Sequence, residues 1–207
     1  MIDYLAVFIT FFAVIDPIGT VPVFIAVTRE YDQKTKRRIA LLATIVAACV
    51  LLFFVVIGEI ILKALSIPLS AFQISGGIVL FLFALNMIFG DSKPEEEIKF
   101  LEDDHKDTAI FPLAVPSIAS PGAMLAAVLL TENAIFSLFE QVQTVVMMLL
   151  VLVVVYILML LSGFITRFIG TSGASVVSRV MGLILSAIAT TNILTGINEY
   201  YQFVPAS

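Results

Sequence analysis

Few residues in this chain have the type and setting to do chemistry, and they cluster at two places. The first is the run Asp16-Pro17-Ile18-Gly19-Thr20-Val21-Pro22, inside a long apolar stretch. Proline has no N–H and clashes with the turn before it, so Pro17 and Pro22 interrupt a helix that Gly19 further loosens. Asp16 is the only acid well inside an apolar stretch; Glu59 and Glu132 fall near the ends of theirs. A charged aspartate at the middle of a bilayer costs on the order of 3 kcal/mol. It therefore faces protein or water. Three roles suit it: partner to an ammonium group, carrier of a coupling proton, or N-cap of a half-helix that starts at Pro17. The second place is Ser120-Pro121-Gly122, with Pro112, Pro116 and Ser117 just before it. It repeats the cap-plus-proline device without the charge. Two further amides, Asn86 and Asn192, lie in apolar surroundings. They either flank one central site or tie helices together.

These residues need elements to hold them. Of the 207 residues, 60% are hydrophobic and only 13% are charged, and the mean hydropathy is +1.11. A soluble fold of this size cannot hide so much apolar surface. That excludes a soluble enzyme, a disordered chain and, with a net charge of −5, a nucleic-acid binder. The single Cys49 and single His105 supply neither a disulfide framework nor a metal cluster, and no cofactor motif is present. The fold class is an all-α polytopic membrane protein. Six apolar segments can be counted, at about 4–27, 39–62, 71–90, 109–131, 142–166 and 178–198. The first lacks a basic n-region and a cleavage site, so it reads as a span and not as a signal peptide.

Charge sets the orientation. The linkers at 29–38, 91–108 and 167–179 hold ten of the eleven Lys and Arg residues; Lys63 alone lies on the other side. Basic linkers mark the cytoplasm, so both termini face outward. The 91–108 linker also carries eight acids and divides the chain into residues 1–90 and 109–207. Pro17 and Pro121 are 104 residues apart. Gly76, Asn86 and Gly90 match Gly182, Asn192 and Gly196 at an offset of 106. Three spans per half is an odd number, so the second half enters from the opposite side. The expectation is two inverted three-helix repeats, with helices 1 and 4 broken at Pro and Gly. Thr191, Thr195 and Asn198 form one helical stripe, which either lines an aqueous path or bonds back to its own helix. Cys49 and the glycines of segments three and six read as packing.

Asp-Pro-x-Gly in segment one, Ser-Pro-Gly in segment four and the two Asn-x-x-x-Gly helix ends resemble the MarC family, over residues 1–200. That family is also called the small neutral amino acid transporter family, is grouped with LysE-like exporters, and carries an older association with antibiotic resistance. The resemblance implies a multi-pass cytoplasmic-membrane transporter of glycine, alanine or serine, driven by an H+ or Na+ gradient. It marks Asp16, Pro17, Gly19, Ser120, Pro121, Gly122, Asn86, Gly90, Asn192 and Gly196 as pattern positions. A zwitterion suits these residues. Half-helix N-termini at Gly19 and Gly122 can take a carboxylate, and Asp16 with Asn86 or Asn192 can take an ammonium. Asp16 is also the candidate ion-coupling residue. Partners are then the amino acid, the ion, the lipid bilayer and, compatibly, further copies of the chain. An exporter or channel for other small solutes is the alternative. A thiol–disulfide carrier lacks its second cysteine. An intramembrane protease lacks a Gly-x-Ser-x-Gly elbow, and an ATPase lacks a phosphate loop.

Overall fold

The computed structural model describes residues 3–29, 31–89, 113–133 and 136–203, with the backbone alone at 166–172, 174, 202 and 203. Gly90, Pro112 and the charged linker at 91–108 lie outside the described residues. The described chain is helical, with no strand. It runs α1 (Tyr4–Ile15), α2 (Pro17–Thr28), α3 (Gln33–Ala64), α4 (Leu69–Phe89), a π-helical turn (Leu113–Ile118), α5 (Pro121–Leu129), α6 (Leu138–Leu160) and α7 (Ser162–Phe203).

Local chemistry explains the starts. Asp3 caps α1 by accepting from the N–H groups of Leu5 and Ala6. Asp32 caps α3 through the N–H of Thr35. Ser137 and Glu140 close a reciprocal capping box on α6. Long apolar runs with helix-favouring residues then carry each helix across.

Among the described residues, five helical stretches are long and apolar enough to cross a membrane: Tyr4–Thr28, Gln33–Ala64, Leu69–Phe89, Leu138–Leu160 and Ser175–Tyr201. The expected fourth crossing is not among them, because Val115 leaves helical geometry and Ser120 is extended. What remains is a short π turn and a nine-residue helix. A second difference concerns residues 167–178, expected as a linker. They continue α7 without a break. Their Gly, Ser and Thr content reads as a loop because these residues form helices weakly, and tertiary context overrides so weak a preference.

The broken first passage is the centre of the bundle. Of its most apolar window 67% is buried, against 22% to 33% in the other four spans. Phe11, Ala13, Val14 and Ile15 are fully buried. Around them pack one stripe of α3 (Ala40, Ala43, Ala47, Leu51) and one of α6 (Met148, Val151, Leu152, Val155). These repeat at three and four residues, the period of a single helix face. The opposite faces expose Phe53, Val56, Ile60, Val146, Val153 and Ile157, as lipid requires.

Helices α4 and α7 run antiparallel along a glycine seam. A Cβ on Gly77 would meet the Ala189 carbonyl at 3.1 Å; one on Gly182 would meet the Ala84 carbonyl at 3.1 Å. Gly196 sits as closely against Ser70 and Ile74. Backbones can approach this far only where no side chain intervenes.

Candidate functional site

Two chain breaks meet in the middle of the bundle, and each is built upward from a cap. At the first, Asp16 adopts a left-handed conformation (φ 50°, ψ 68°), which ends α1 and starts α2. Aspartate is one of the few side chains that tolerates this region. Its N–H donates to the Phe12 carbonyl at 3.0 Å. Its Oδ1 accepts from the Gly19 N–H at 3.0 Å, and its backbone carbonyl accepts from the Thr20 N–H at 3.1 Å. The Thr20 hydroxyl donates to that same carbonyl.

At the second break Ser120 does the same work for α5. Its Oγ accepts from the Ala123 N–H at 3.2 Å, and its carbonyl accepts from the Met124 N–H at 3.0 Å. Each partner lies 104 residues beyond its counterpart, the spacing of Pro17 and Pro121. The caps occupy the third and fourth amides of each half-helix, and proline removes the first. The second amides, of Ile18 and Gly122, pair with no described group, so two partly positive helix ends keep a donor.

The breaks are joined directly. The Ser120 hydroxyl donates to the Val14 carbonyl at 2.9 Å, an acceptor that the end of α1 had left over. Asp16 is held from a third side, where the Ser178 hydroxyl of α7 donates to its Oδ2 at 2.7 Å. Asp16 and Ser120 are each only 1% exposed. The cap is therefore observed, with each carboxylate oxygen accepting one bond. Such an oxygen has room for a second.

Ser178 was not legible as a site residue. It falls at the edge of the stretch that reads as a linker, 162 residues from Asp16. The only hint is a polar side chain at the start of an apolar segment.

The glycines differ. A Cβ on Gly19 would land on the Asp16 carboxylate and 2.6 Å from Ser178 Oγ. A Cβ on Gly122 would press only on Leu80 Cδ1, at 2.9 Å, with Val14 Cβ at 3.7 Å and Ser120 Oγ at 3.8 Å in ordinary contact.

Asn86 and Asn192 are not brought to one point. Asn86 is exposed on α4, and Asn192 is half-buried on α7. In the antiparallel seam Asn86 lies near the level of Gly182, and Asn192 between the levels of Ile74 and Gly77. That separates them by about 15 Å along the helices at 1.5 Å per residue. The hydroxyl stripe also resolves in part. Thr191 lies on an exposed face and donates to the Ala187 carbonyl, as Thr190 does to Ser186. Three buried polar atoms have no partner among the described residues: Gln73 Oε1, Ser117 Oγ and Thr144 Oγ1. Ser117 stands three residues before the Ser120 cap.

The two ends of the bundle differ in charge. At one end, a cleft of about 580 Å³ opens between the end of α2, the start of α3 and the α6–α7 junction. Phe24, Thr28, Lys36, Arg37, Met159 and Phe164 line it. Its size is that of a small-molecule site. At the far end Glu59, Lys63, Glu132 and Asn133 gather. No group of His, Cys, Asp and Glu among the described residues could hold a metal ion.

Comparison with known proteins follows the same lines. A model described as "MarC family integral membrane protein" matches residues 1–201. A UPF0056 membrane protein of Methanocaldococcus jannaschii is 35% identical, over 94% of this chain and 95% of its own length. One from Archaeoglobus fulgidus is 34% identical over 95% and 92%. One from Buchnera aphidicola is 31% identical over 91% and 93%. No solved structure matches.

Proposed function

We propose that this chain, which belongs to the MarC family of integral membrane proteins, is a secondary transporter of small neutral amino acids coupled to an ion gradient. It catalyses no chemical step. The observation that carries the reading is the pair of matched caps, Asp16 on α2 and Ser120 on α5, locked together by the Ser120–Val14 hydrogen bond. Broken helices at mid-membrane, with N-terminal ends turned to one centre, suit a carboxylate. In this reading the second amides at Ile18 and Gly122 receive the substrate carboxylate, and Asp16 faces its ammonium. A centre with one formal charge favours a zwitterion over lysine or glutamate.

Alternating access needs two related halves, and three observations support them. The caps recur at an offset of 104. The Gly77 and Gly182 contacts exchange at an offset of 105. The end of α5 and the start of α6 lie beside the end of α3, whereas the α6–α7 junction lies beside its start. Residues 113–131 then make the sixth crossing, inverted relative to the first. The basic cleft faces the cytoplasm and the Glu59–Glu132 end faces outward, in the plasma membrane.

The test is uptake of labelled glycine, alanine, lysine and glutamate into proteoliposomes, under imposed proton or sodium gradients. Saturable, gradient-driven accumulation of glycine and alanine alone is the expected result. Non-saturating flux that ignores the gradient would make the protein a channel. No flux of any of the four would reject the reading.

A further inference from the structure

Among the buried acids of the described residues, the one with the least support is not Asp16 but Glu132, just past the end of α5. It is only 7% exposed. Its backbone carbonyl accepts from the Phe136 N–H at 2.8 Å, but its carboxylate accepts no hydrogen bond from any described residue. Its neighbour Glu59, on α3, is fully engaged. Glu59 Oε1 pairs with Lys63 Nζ at 2.5 Å, and its Oε2 accepts from the Asn133 N–H at 2.8 Å and from the Asn133 side-chain amide. Asn133 in turn accepts from Gln141 of α6 at 2.9 Å. This clamp fixes the residue beside Glu132 between α3 and α6, while the one nearby cation is committed to Glu59. The charged groups that act on Glu132 are Glu59 and Lys63 of α3 and Glu199 of α7. Burial, followed by the charges of Glu199 and Glu59, pushes its carboxyl up to about 7. Asp16 has a cap amide and a serine hydroxyl on its oxygens, and Glu132 has neither.

We propose that Glu132 is a proton-binding site at the far end of the bundle, and that Glu132 rather than Asp16 carries the coupling proton. The second clause rests on the transport reading above. The first stands on the burial and the missing partners. The step is a proton transfer with no other bond changed: the carboxylate takes a proton from water on the outward side, becomes a neutral acid, and releases the same proton to the other side when access alternates. The neutral form sits without repulsion between Glu59 and Glu199. The ionised form is driven by both toward water. Glu132 also joins the site mechanically. Helix α5 is nine residues long, about 13 Å. Its other end is the Ser120 cap that holds Val14. Movement of one end is thereby delivered to the other.

The decisive experiment is an infrared titration of the full chain in lipid nanodiscs, following the carbonyl band of protonated carboxylic acids. Wild type should lose a band with a midpoint about pH 7. Glu132→Gln should lack that band, and Asp16→Asn should keep it. A band that persists in Glu132→Gln, or a wild-type midpoint in the ordinary carboxylate range, overturns the proposal. If Glu132→Gln fails to fold, Glu199→Gln decides, because removing that charge should lower the midpoint. An unmoved midpoint overturns it. In proteoliposomes, Glu132→Gln should exchange glycine between equal pools yet lose proton-driven accumulation. Normal accumulation would overturn the coupling role. A titrating Glu132 in a chain that moves no amino acid would reject the transport reading and leave the proton site standing.

Discussion

At Asp16 and at Ser120 the chain ends one helical stretch and begins another with the same bonds, yet the two sites use different materials. Both place a capping oxygen on the third amide, a carbonyl on the fourth and a proline at the first position. At Asp16 the cap is charged, left-handed and closed by α7 through Ser178. At Ser120 the cap is neutral, extended and fastened to the first break through Val14. Even the far ends diverge: α2 leads to an exposed Arg29, and α5 to the buried Glu132. Cap and proline set where a helix restarts; they do not set the charge there. A site can thus be nearly symmetric in its backbone and one-sided in its electrostatics.

The largest expected effect tests that difference at the glycines. Gly19→Ala should cost roughly 3 kcal/mol, since the new methyl displaces the Asp16 carboxylate and strands the Gly19 amide and the Ser178 hydroxyl. Gly122→Ala should cost roughly 1 kcal/mol or less, because a leucine methyl can move aside. Thermal unfolding in detergent would read both, and equal losses would break the contrast. Next comes the acid itself. Asp16→Ala should lose about 2 kcal/mol, whereas Asp16→Asn keeps the capping oxygen and should stay within about 1 kcal/mol of wild type. In proteoliposomes Asp16→Asn should still lower glycine exchange at least about tenfold, because a hydrogen bond to a charged group is worth about 1.5–3 kcal/mol. Wild-type exchange by Asp16→Asn would leave Asp16 a cap only.

Ser120→Ala removes the cap on Ala123 and the tie to Val14, for about 1–2 kcal/mol. Ser178→Ala removes a single bond and should cost about 1 kcal/mol. A Ser178→Ala loss above that of Ser120→Ala would show that α7, and not the second break, holds the first in place. The last test is the slope of stability with pH. Glu132 is raised from 4.5 to about 7 in the folded chain, so the fold binds the extra proton. The stabilisation is full below about pH 4.5, declines as pH rises, and is gone above pH 7. Unfolding midpoints across that window should fall in wild type and stay level in Glu132→Gln.

Much of the first break was readable because its signals are local. Asp before Pro, with Gly two positions on, names a cap and a restart within four residues. The same holds for Ser120-Pro121. The membrane class follows from composition alone. What was hidden depends on contacts between distant parts. Ser178 reaches Asp16 only because α7 runs unbroken through a stretch rich in small polar residues. The Glu59–Asn133 clamp joins residues 74 apart, and neither type announces the other. The seam shows the limit of pattern matching most plainly. Counting identical residues pairs Gly76 with Gly182, whereas the contacts pair Gly77 with Gly182, and Gly76 packs on Leu125 of α5. Asn86 and Asn192 were equally well spaced on paper, but spacing does not say which side of a helix faces inward.

The seam has one more consequence. Gly77 meets Ala189 and Ile193, and Gly182 meets Ala84 and Ile88, so the two partners exchange places under a half-turn. In the language of oligomers this contact is isologous: the surface that α4 offers is the surface it receives. Here the two helices are tethered in one chain, so the pairing is intramolecular and independent of protein concentration. Dilution that would dissociate a homodimer leaves this pair intact, and each helix is free to change its sequence without the other having to follow.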